Sequence, residues 1–230
     1  MTNNTHVRRV ALTLLAALSL GTGIAAAQAP GSAYIVTYIE VDPAATAQAM
    51  RLLVQQRDAS RNDAGSVIFE ALQRMGRRNQ FVVLEQWRDA QAQSAHSATA
   101  HTHEFLQALA PLRITPYDER PHTALSIAAP KGSDATLYVV THVDIIPTSK
   151  EIGVELVENF AAESRSDQGN VRFDVLTQSS RPNHMTVVEV WANEKAQRGH
   201  AVAAHTQKFR EALLPLSGSL YDERLYRAVR

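Results

Sequence analysis

The chain carries the same segment twice, and this duplication limits its possible folds more than any other feature. Residues 34–120 match residues 138–224 without a gap, at a constant offset, and about a third of the matched positions are identical. A match of this length in one register indicates internal duplication. We therefore predict two domains, residues 33–127 and 137–230, joined by a linker at 128–136. The identical landmarks include Thr37/Thr141, Pro43/Pro147, Gly65/Gly169, Phe69/Phe173, Glu85/Glu189, Trp87/Trp191, His96/His200, His101/His205 and Phe105/Phe209.

Composition and charge fit a folded protein and exclude several functions. Of the 230 residues, 45% are hydrophobic and 20% are charged, which excludes a mainly disordered, collagen-like or coiled-coil chain. The 23 basic residues balance 23 acidic ones, so a nucleic-acid partner is not expected. Because there is no cysteine, disulfides, thiolate metal sites, cysteine nucleophiles and iron–sulfur clusters are excluded together.

The first 27 residues have the pattern of a secretory signal peptide. Residues 1–9 contain two arginines and no acid, residues 10–20 are almost entirely apolar, and small residues end in Ala25-Ala26-Ala27. This order predicts cleavage after Ala27 and a periplasmic or secreted mature protein. The alternative is a single membrane anchor, for which a stretch of about 18 residues with two glycines is marginal. We expect no stable membrane anchor after cleavage.

The hydrophobic period changes along each unit in the order strand, helix, strand, strand, helix, strand. This order predicts an α+β fold of two ferredoxin-like (βαββαβ) units, each with an antiparallel sheet covered by helices on one face. In the first unit the strands are expected at 34–41, 67–75, 80–88 and from Tyr117 on, and the helices at 44–60 and 90–112, the second in one or two pieces.

The third strand of the first unit demands burial on both of its faces. Val82 and Leu84 alternate with Phe81 and Val83, so one covering layer of helices leaves an apolar sheet face exposed. Two units in one chain can bury these faces against each other. We therefore predict an internal pseudo-dimer that closes into a dimeric α/β barrel; further homo-oligomerisation is left open.

A Glu-x-Trp motif on the third strand is present in both copies. Glu85 and Trp87 share a strand face with Phe81 and Val83, so the carboxylate lies along an apolar row, and Glu189 repeats this arrangement. A buried carboxylate requires a partner, because burying it unpaired is costly. Two interpretations stay open. The carboxylate is structural, bound by backbone amides or by the arginine of the Tyr-Asp-Glu-Arg segment, or it is a base or anchor in a pocket between sheet and helices.

Two histidines follow on the next helix of each copy. His101 is spaced with Phe105 and Leu109 on the helix face turned to the core, and His205 repeats this position. His96, like His200, lies five residues earlier, about 140° around a straight helix, so the two rings share a pocket only if the helix breaks between them. A lone core histidine is usually structural. Two histidines with a tryptophan and a carboxylate favour a site of proton transfer.

No metal site is predicted. His142-Val143-Asp144 has a ligand-like pattern, but the first copy reads Tyr38-Ile39-Glu40. The cluster from His101 to Glu104 becomes His205 to Lys208 in the second copy, so a site built on it would have to exist in one copy only.

These repeated motifs resemble those of the antibiotic biosynthesis monooxygenase (ABM) family, which includes small quinol oxygenases. The resemblance covers each repeat almost fully and rests on F-V-V-L-E-Q-W-R-D-A…H…A-H-T…F…L-x-P-L…Y-D-E-R and on M-T-V-V-E-V-W-A-N-E…H…A-H-T…F…L-L-P-L…Y-D-E-R. It implies a dimeric α/β barrel of ferredoxin-like units. It also implies oxygenation of a phenol or quinol by dioxygen, with no metal, flavin or haem cofactor.

The resemblance also implies roles for the repeated residues. A histidine takes the proton of the aromatic substrate, aromatic side chains stack on its ring, and the carboxylate orients the histidine or the substrate hydroxyl. The implied catalytic residues are His101, His205, His96, His200, Glu85 and Glu189, and the implied substrate-binding residues are Trp87, Trp191, Phe69, Phe173, Tyr38 and His142.

Two other functions remain as alternatives to a monooxygenase. The first is a non-catalytic binding or scaffold protein of the same superfamily; the differences Tyr38/His142 and Phe81/Met185 indicate unequal pockets. The second is a haem-binding or haem-degrading monooxygenase, whose pocket requires an Asn on the first strand, a Trp and a His ligand. His101 and His205 match the ligand, but the Asn position holds Tyr38 or His142 and the Trp position holds His96 or His200.

Overall fold

The computed structural model describes Met1 and residues 31–131 and 136–230. The predicted signal peptide and residues 132–135 of the predicted linker lie outside the described residues. The first unit contains four strands and three α-helices. In chain order they are β1 (Ala33–Glu40), α1 (Thr46–Ser60), β2 (Ser66–Arg74), β3 (Gln80–Trp87), α2 (Ala90–Ser97), α3 (Ala100–Leu109) and β4 (Asp118–Ser126).

The second unit repeats the same order with nearly identical lengths. Its elements are β5 (Leu137–Asp144), α4 (Lys150–Ser164), β6 (Asn170–Gln178), β7 (His184–Trp191), α5 (Glu194–Ala201), α6 (Ala204–Leu213) and β8 (Asp222–Ala228). Short 3-10 turns starting at Pro43, Ala110, Pro147 and Leu214 connect these elements. The predicted βαββαβ order is confirmed in both units, with the second helical region divided in two.

The eight strands form one closed antiparallel barrel. The order around it is β1-β3-β2-β8-β5-β7-β6-β4, so each unit supplies a four-stranded half. The halves join where β2 pairs with β8 and where β4 pairs with β6. The internal pseudo-dimer is therefore confirmed, and its two sheets are hydrogen-bonded to each other at both seams as well as packed face to face.

Three apolar cores follow from the alternation of side chains along the strands. The barrel interior holds Val82 and Leu84 of β3, packed with side chains of the second unit such as Val188. The opposite face of β3 packs Phe81 and Val83 under the helices of the first unit. The second unit has an equivalent helix-side core. Both faces of the sheet are thus buried, as the sequence of β3 requires.

Among the residues that the structure describes, no helix is long and apolar enough to cross a membrane.

Candidate active site

The Glu-x-Trp motif lies on the helix-facing side of the sheet in both units. The Trp87 indole nitrogen donates a hydrogen bond of 2.8 Å to Oε2 of Glu85, and Trp191 donates one of 2.9 Å to Glu189. Both tryptophans are fully buried. The partner of the buried carboxylate is therefore an indole two residues away on its own strand, which neither open interpretation included. The arginine of each Tyr-Asp-Glu-Arg segment pairs instead with that segment's own aspartate.

A break in the second helical region brings the two histidines together. In the first unit α2 ends at Ser97, and the Thr99 side chain caps α3 by accepting from the Thr102 backbone N–H. The chain changes direction there, and the ring centroids of His96 and His101 come within 5.5 Å. The same separation, 5.5 Å, is found between His200 and His205. The helix break that a shared pocket for the two histidines requires is thus present in both units.

An aspartate that the sequence analysis did not single out joins each histidine pair. Oδ2 of Asp63 lies 2.7 Å from Nδ1 of His96 and 3.0 Å from Nε2 of His101. In the second unit Asp167 makes the equivalent contacts at 2.7 Å to His200 and 3.1 Å to His205. One carboxylate therefore bridges two imidazoles, the inner one buried and the outer one partly exposed.

A glycine turn holds this aspartate beside the histidines. Asp63 lies in the turn after α1, which Gly65 completes with a φ of +88°, in the left-handed region that favours glycine. A Cβ atom at Gly65 would lie 2.6 Å from Cβ of Ala92, so α2 approaches the turn more closely than a larger residue permits. Gly169 has the same relation to Ala196. The signal was present in the sequence, since both copies have an aspartate two residues before this glycine.

The inner histidines contact the predicted aromatic residues. The His96 ring stacks on Trp87 with centroids 4.4 Å apart and meets Phe69 edge-on at 5.7 Å. In the second unit His200 lies 4.7 Å from Trp191 and 5.8 Å from Phe173. The structure therefore brings the implied Glu, Trp, Phe and His residues of each unit into one cluster. Within it, each tryptophan stacks on a histidine.

Burial changes the proton affinity of the cluster. It raises the pKa of Glu85 to about 7, with the Trp87 hydrogen bond opposing. It raises the pKa of Glu189 to about 8, assisted by the negative charge of Glu223. Burial also lowers the pKa of His96 and His200, against the opposing effect of the aspartate. At pH 7 Glu189 and the two inner imidazoles thus favour their neutral forms, whereas Glu85 is near its midpoint.

The two units differ in what contacts the outer histidine. In the first unit Gln56 accepts from Nδ1 of His101 at 3.1 Å and donates to the Thr102 hydroxyl at 3.0 Å. The corresponding residue of the second unit is Phe160, whose ring lies 6.2 Å from that of His205. Gln56 therefore forms a hydrogen bond with Nδ1 of His101, whereas the Phe160 side chain has no group that could form one with His205.

Tyr38 and His142 lie apart from both clusters. Tyr38 pairs with Val82 across β1 and β3, and it therefore faces the barrel interior, opposite to the face that carries Glu85. Both residues line an open cleft of about 700 Å³ at the barrel. The Arg120 guanidinium lies 4.8 Å over the Tyr38 ring, and His142 contacts His184 at 2.9 Å. Their implied role in substrate binding stays a prediction, but they do not share a site with the Glu/Trp/His clusters.

The sequence profile described as "Antibiotic biosynthesis monooxygenase" matches residues 32–108 and again residues 136–212, which together make up more than half of the chain. The chain belongs to the antibiotic biosynthesis monooxygenase family. It carries two ABM domains in tandem, as the resemblance of the repeats implied.

Individual relatives agree with this assignment. The curated Bacillus subtilis (strain 168) protein named "Putative monooxygenase YcnE" is 30% identical over 73 residues, which cover 32% of this chain and 77% of the relative. A structure from Fusobacterium nucleatum, titled as a putative monooxygenase, has a TM-score of 0.78 at 14% identity and covers 87% of this chain and 93% of its own. One titled likewise from Lactobacillus acidophilus has a TM-score of 0.73 at 16% identity, covering 87% and 95%. At these identities the two structures show a common fold that spans both ABM domains.

The Asp–His–His groups of the two ABM domains have the donor types of a metal site. In each domain the three ligand atoms lie within 4.8 Å of one another. This donor set occurs in both domains and differs from the His101–Glu104 cluster considered in the sequence, which the second copy does not repeat. In the first domain Asp63 also accepts hydrogen bonds from both rings, whereas in the second Asp167 accepts one from His200 only, and His205 lies 3.1 Å away without hydrogen-bond geometry.

The fit to haem is poor in the first ABM domain. Both ring nitrogens of His101 already contact protein atoms, Nδ1 with Gln56 and Nε2 with Asp63. Neither nitrogen is left to bind iron unless one of these contacts breaks.

Proposed function

We propose that this chain is a monooxygenase that oxidises a quinol or a related electron-rich aromatic compound with dioxygen, without a cofactor. Membership of the ABM family supports the class of reaction. A buried acid–base cluster, present in both domains, supports the chemistry, because deprotonation is what makes such a compound able to reduce dioxygen. We propose that the protein supplies a proton acceptor and a site shielded from water.

The overall reaction balances without an external reductant. The dihydroxyaromatic substrate gives up three hydrogen atoms, one from the ring and two from its hydroxyl groups. One of the three is bound to the new ring oxygen in the product, and the other two form water. One atom of dioxygen enters the ring, and the other leaves as water. The substrate is oxidised to a hydroxyquinone and provides all the electrons that reduce dioxygen.

The contact that best supports this proposal joins Asp167 to His200. His200 donates from Nδ1 to the aspartate at 2.7 Å, so its Nε2 is the unprotonated nitrogen of a neutral ring. That Nε2 is buried, has no hydrogen-bond partner among the described residues, and lies 3.8 Å from Oε2 of Glu189. An aspartate that fixes the tautomer of a histidine and leaves its other nitrogen free is the arrangement of a general base.

We propose that the proton then leaves through the aspartate. The groups Glu189, His200, Asp167 and His205 follow one another at 3.8, 2.7 and 3.1 Å. The first two are almost completely buried, whereas His205 is partly exposed. A proton taken from the substrate by His200 therefore has Asp167 and His205 as neighbouring groups towards the solvent.

The proposal is tested by mixing purified, metal-free protein anaerobically with dihydroxynaphthalenes and catechols and then admitting oxygen. We expect quinone absorbance to rise faster than with the His101→Ala/His205→Ala double variant. Equal rates across a broad panel would contradict oxygenation. Aromatic binding without turnover would favour the non-catalytic binding protein, and a shifted Soret band on haem titration would favour the haem alternative.

Export to the periplasm or the medium is a separate proposal that rests on the sequence of residues 1–27. N-terminal sequencing of protein recovered from those fractions should begin at Gln28. Protein that retains Met1 in a membrane fraction would contradict it.

A further inference from the structure

One buried carboxylate oxygen on the helix-facing side of the second ABM domain, Oε1 of Glu189, has no hydrogen-bond partner among the described residues. The buried Oγ1 of Thr141 and Oη of Tyr221 lie in the same region and have only each other as partners. Thr141 and Glu189 are 0% and 1% exposed. Buried polar atoms are nearly always paired, because leaving them unpaired costs free energy, so unpaired ones mark a place where a ligand's polar group fits.

The three atoms belong to one region on the helix-facing side of the sheet. Glu189 lies opposite Val139 on β5, two residues before Thr141. Burial of Tyr221 and, after it, the charge of Glu189 raise the pKa of the tyrosine, and its hydrogen bond with the Thr141 side chain opposes them. The Tyr221 ring packs edge-on against Phe209 with centroids 5.5 Å apart, which fixes its position under α6.

An open cleft leads to Tyr221 from the surface. It has a volume of about 800 Å³, within the range of small-molecule sites, and lies between α6 and the turn before β8. Leu213, Leu214 and Leu220 supply apolar walls. At its rim Arg210 and Glu223 form an ion pair of 2.6 Å. Tyr221 therefore connects the cleft to the buried region that holds the unpaired oxygen of Glu189.

The first ABM domain repeats Tyr221 and Thr141 as Tyr117 and Thr37, but it differs in three other features. No oxygen of Glu85 is both buried and without a partner, in contrast to Oε1 of Glu189. Leu106 stands at the position of Arg210, so the rim has no corresponding ion pair. Ile114 replaces Gly218, whose close approach to Asp144, 2.9 Å from an added Cβ, shapes the turn beside the cleft.

We propose that the second ABM domain alone binds the aromatic substrate, with the ring in the cleft beside Leu220 and a ring hydroxyl bound by Tyr221 and Glu189. This inference rests on the proposed function and adds which domain acts and what it recognises: a flat apolar ring with a hydroxyl group. The first domain then stabilises the barrel by pairing β2 with β8 and β4 with β6.

The test is a binding titration of the full chain under anaerobic conditions with 1,4-dihydroxynaphthalene and, as a phenol that is not a quinol, 1-naphthol. We expect one site per chain. Tyr221→Phe should weaken binding at least tenfold, whereas the matched change Tyr117→Phe in the first domain should leave the dissociation constant unchanged. Two equal sites per chain, equal losses for both tyrosine changes, or no binding of either probe would overturn the inference.

A second pair of variants, at exposed positions, tests the cleft without disturbing the folded cores. Leu220 is 88% exposed and Ile114 is 56% exposed, so an aspartate at either position leaves the cores intact. Leu220→Asp should weaken binding at least tenfold and Ile114→Asp should not; the reverse order would contradict the proposed cleft. Binding at the second domain without oxygen uptake would refute oxygenation alone. Oxygen uptake that Tyr221→Phe does not change would refute this inference alone.

Discussion

Asp167 and His200 are 33 residues apart in the sequence, yet Oδ2 of the aspartate lies 2.7 Å from Nδ1 of the histidine. The first domain repeats this pair as Asp63 and His96 at the same 2.7 Å and the same sequence separation. In both domains the contact connects the turn after the first helix to the helix that follows the third strand. It gives the buried histidine a fixed tautomer.

Replacing Asp167 should impair catalysis through His200. We expect Asp167→Asn to lower turnover by about two orders of magnitude or more, the scale of lost acid–base help, with little change in substrate binding. Because Asp167 raises the pKa of His200, its removal should also move the acid limb of the pH–rate profile to lower pH. Steady-state kinetics across pH measures both effects.

Two control variants show whether the loss of turnover is specific to Asp167. Asp63→Asn should lower turnover less, since the first domain is not the proposed substrate site. Asp58→Asn, at an exposed acid of α1, controls for loss of surface charge. A fall in turnover with an unmoved acid limb would mean that Asp167 acts only by stabilising the fold.

The buried carboxyls should make stability depend on pH in a defined direction. The pKa values of about 7 for Glu85 and about 8 for Glu189 exceed the ordinary value of 4.5. The folded state therefore holds protons that the unfolded state has lost, and the free energy of unfolding falls as pH rises from 4.5 through these values. The fall is on the order of 3 kcal/mol for Glu85 and about 5 kcal/mol for Glu189.

Urea unfolding at several pH values tests the prediction against the Glu85→Gln/Glu189→Gln double variant. Above about pH 6.5 the lowered pKa values of His96 and His200 keep both rings neutral, so the remaining slope comes mainly from the carboxyls. The wild type should lose stability between about pH 6.5 and 8 relative to the double variant. Parallel curves would mean that the carboxyls are already ionised in the folded state.

Trp191 should act on Glu189 rather than on the substrate ring. It is fully buried, it stacks on His200, and its indole donates to the carboxyl. Because this hydrogen bond lowers the pKa of Glu189, Trp191→Phe should raise that pKa further and cost about 1 to 3 kcal/mol of stability. Infrared titration of the protonated carboxyl band measures the first effect.

The matched change Trp87→Phe should shift the band of Glu85 in the same direction. If Trp191→Phe weakens substrate binding but leaves the carboxyl titration unchanged, the stacking role implied by the family resemblance is the better description.

Gly153 should be required for the packing of α4 on the sheet. A Cβ atom there would lie 2.7 Å from the side chain of Ile145, which is itself fully buried. We expect Gly153→Ala to destabilise the protein by about 1 to 3 kcal/mol through overpacking, measured by thermal and urea unfolding.

Gly199 provides the control, because it also lies within a helix but an added Cβ meets nothing within 4 Å. Gly199→Ala should stabilise the chain by up to about 1 kcal/mol through helix propensity alone. If both changes stabilise the protein, the packing of α4 accommodates an added methyl group in spite of the short distance to Ile145.

The sequence by itself determined the repeated unit, the order of its elements and the face of β3 that carries Glu85 and Trp87. These depend on hydrophobic period and on duplication, which are properties of neighbouring residues along the chain. It also stated the condition under which His96 and His101 share a pocket. The helix breaks at Thr99 because this residue caps α3. A cap is a local feature, so the break could have been predicted from the sequence.

Only the tertiary structure decided which distant residues complete the site. Asp63 and Asp167 enter because a glycine turn packs against an alanine of another helix, a contact that no period along the chain encodes. Tyr38 leaves the site because the register between β1 and β3 sets it opposite Val82, on the face that the closed barrel buries. The two domains differ at Arg210 and Gly218, which line one cleft with Tyr221 only after α6 packs beside β8. Local sequence patterns determine which face of a strand or helix a side chain occupies, whereas packing between elements determines which residues it contacts there.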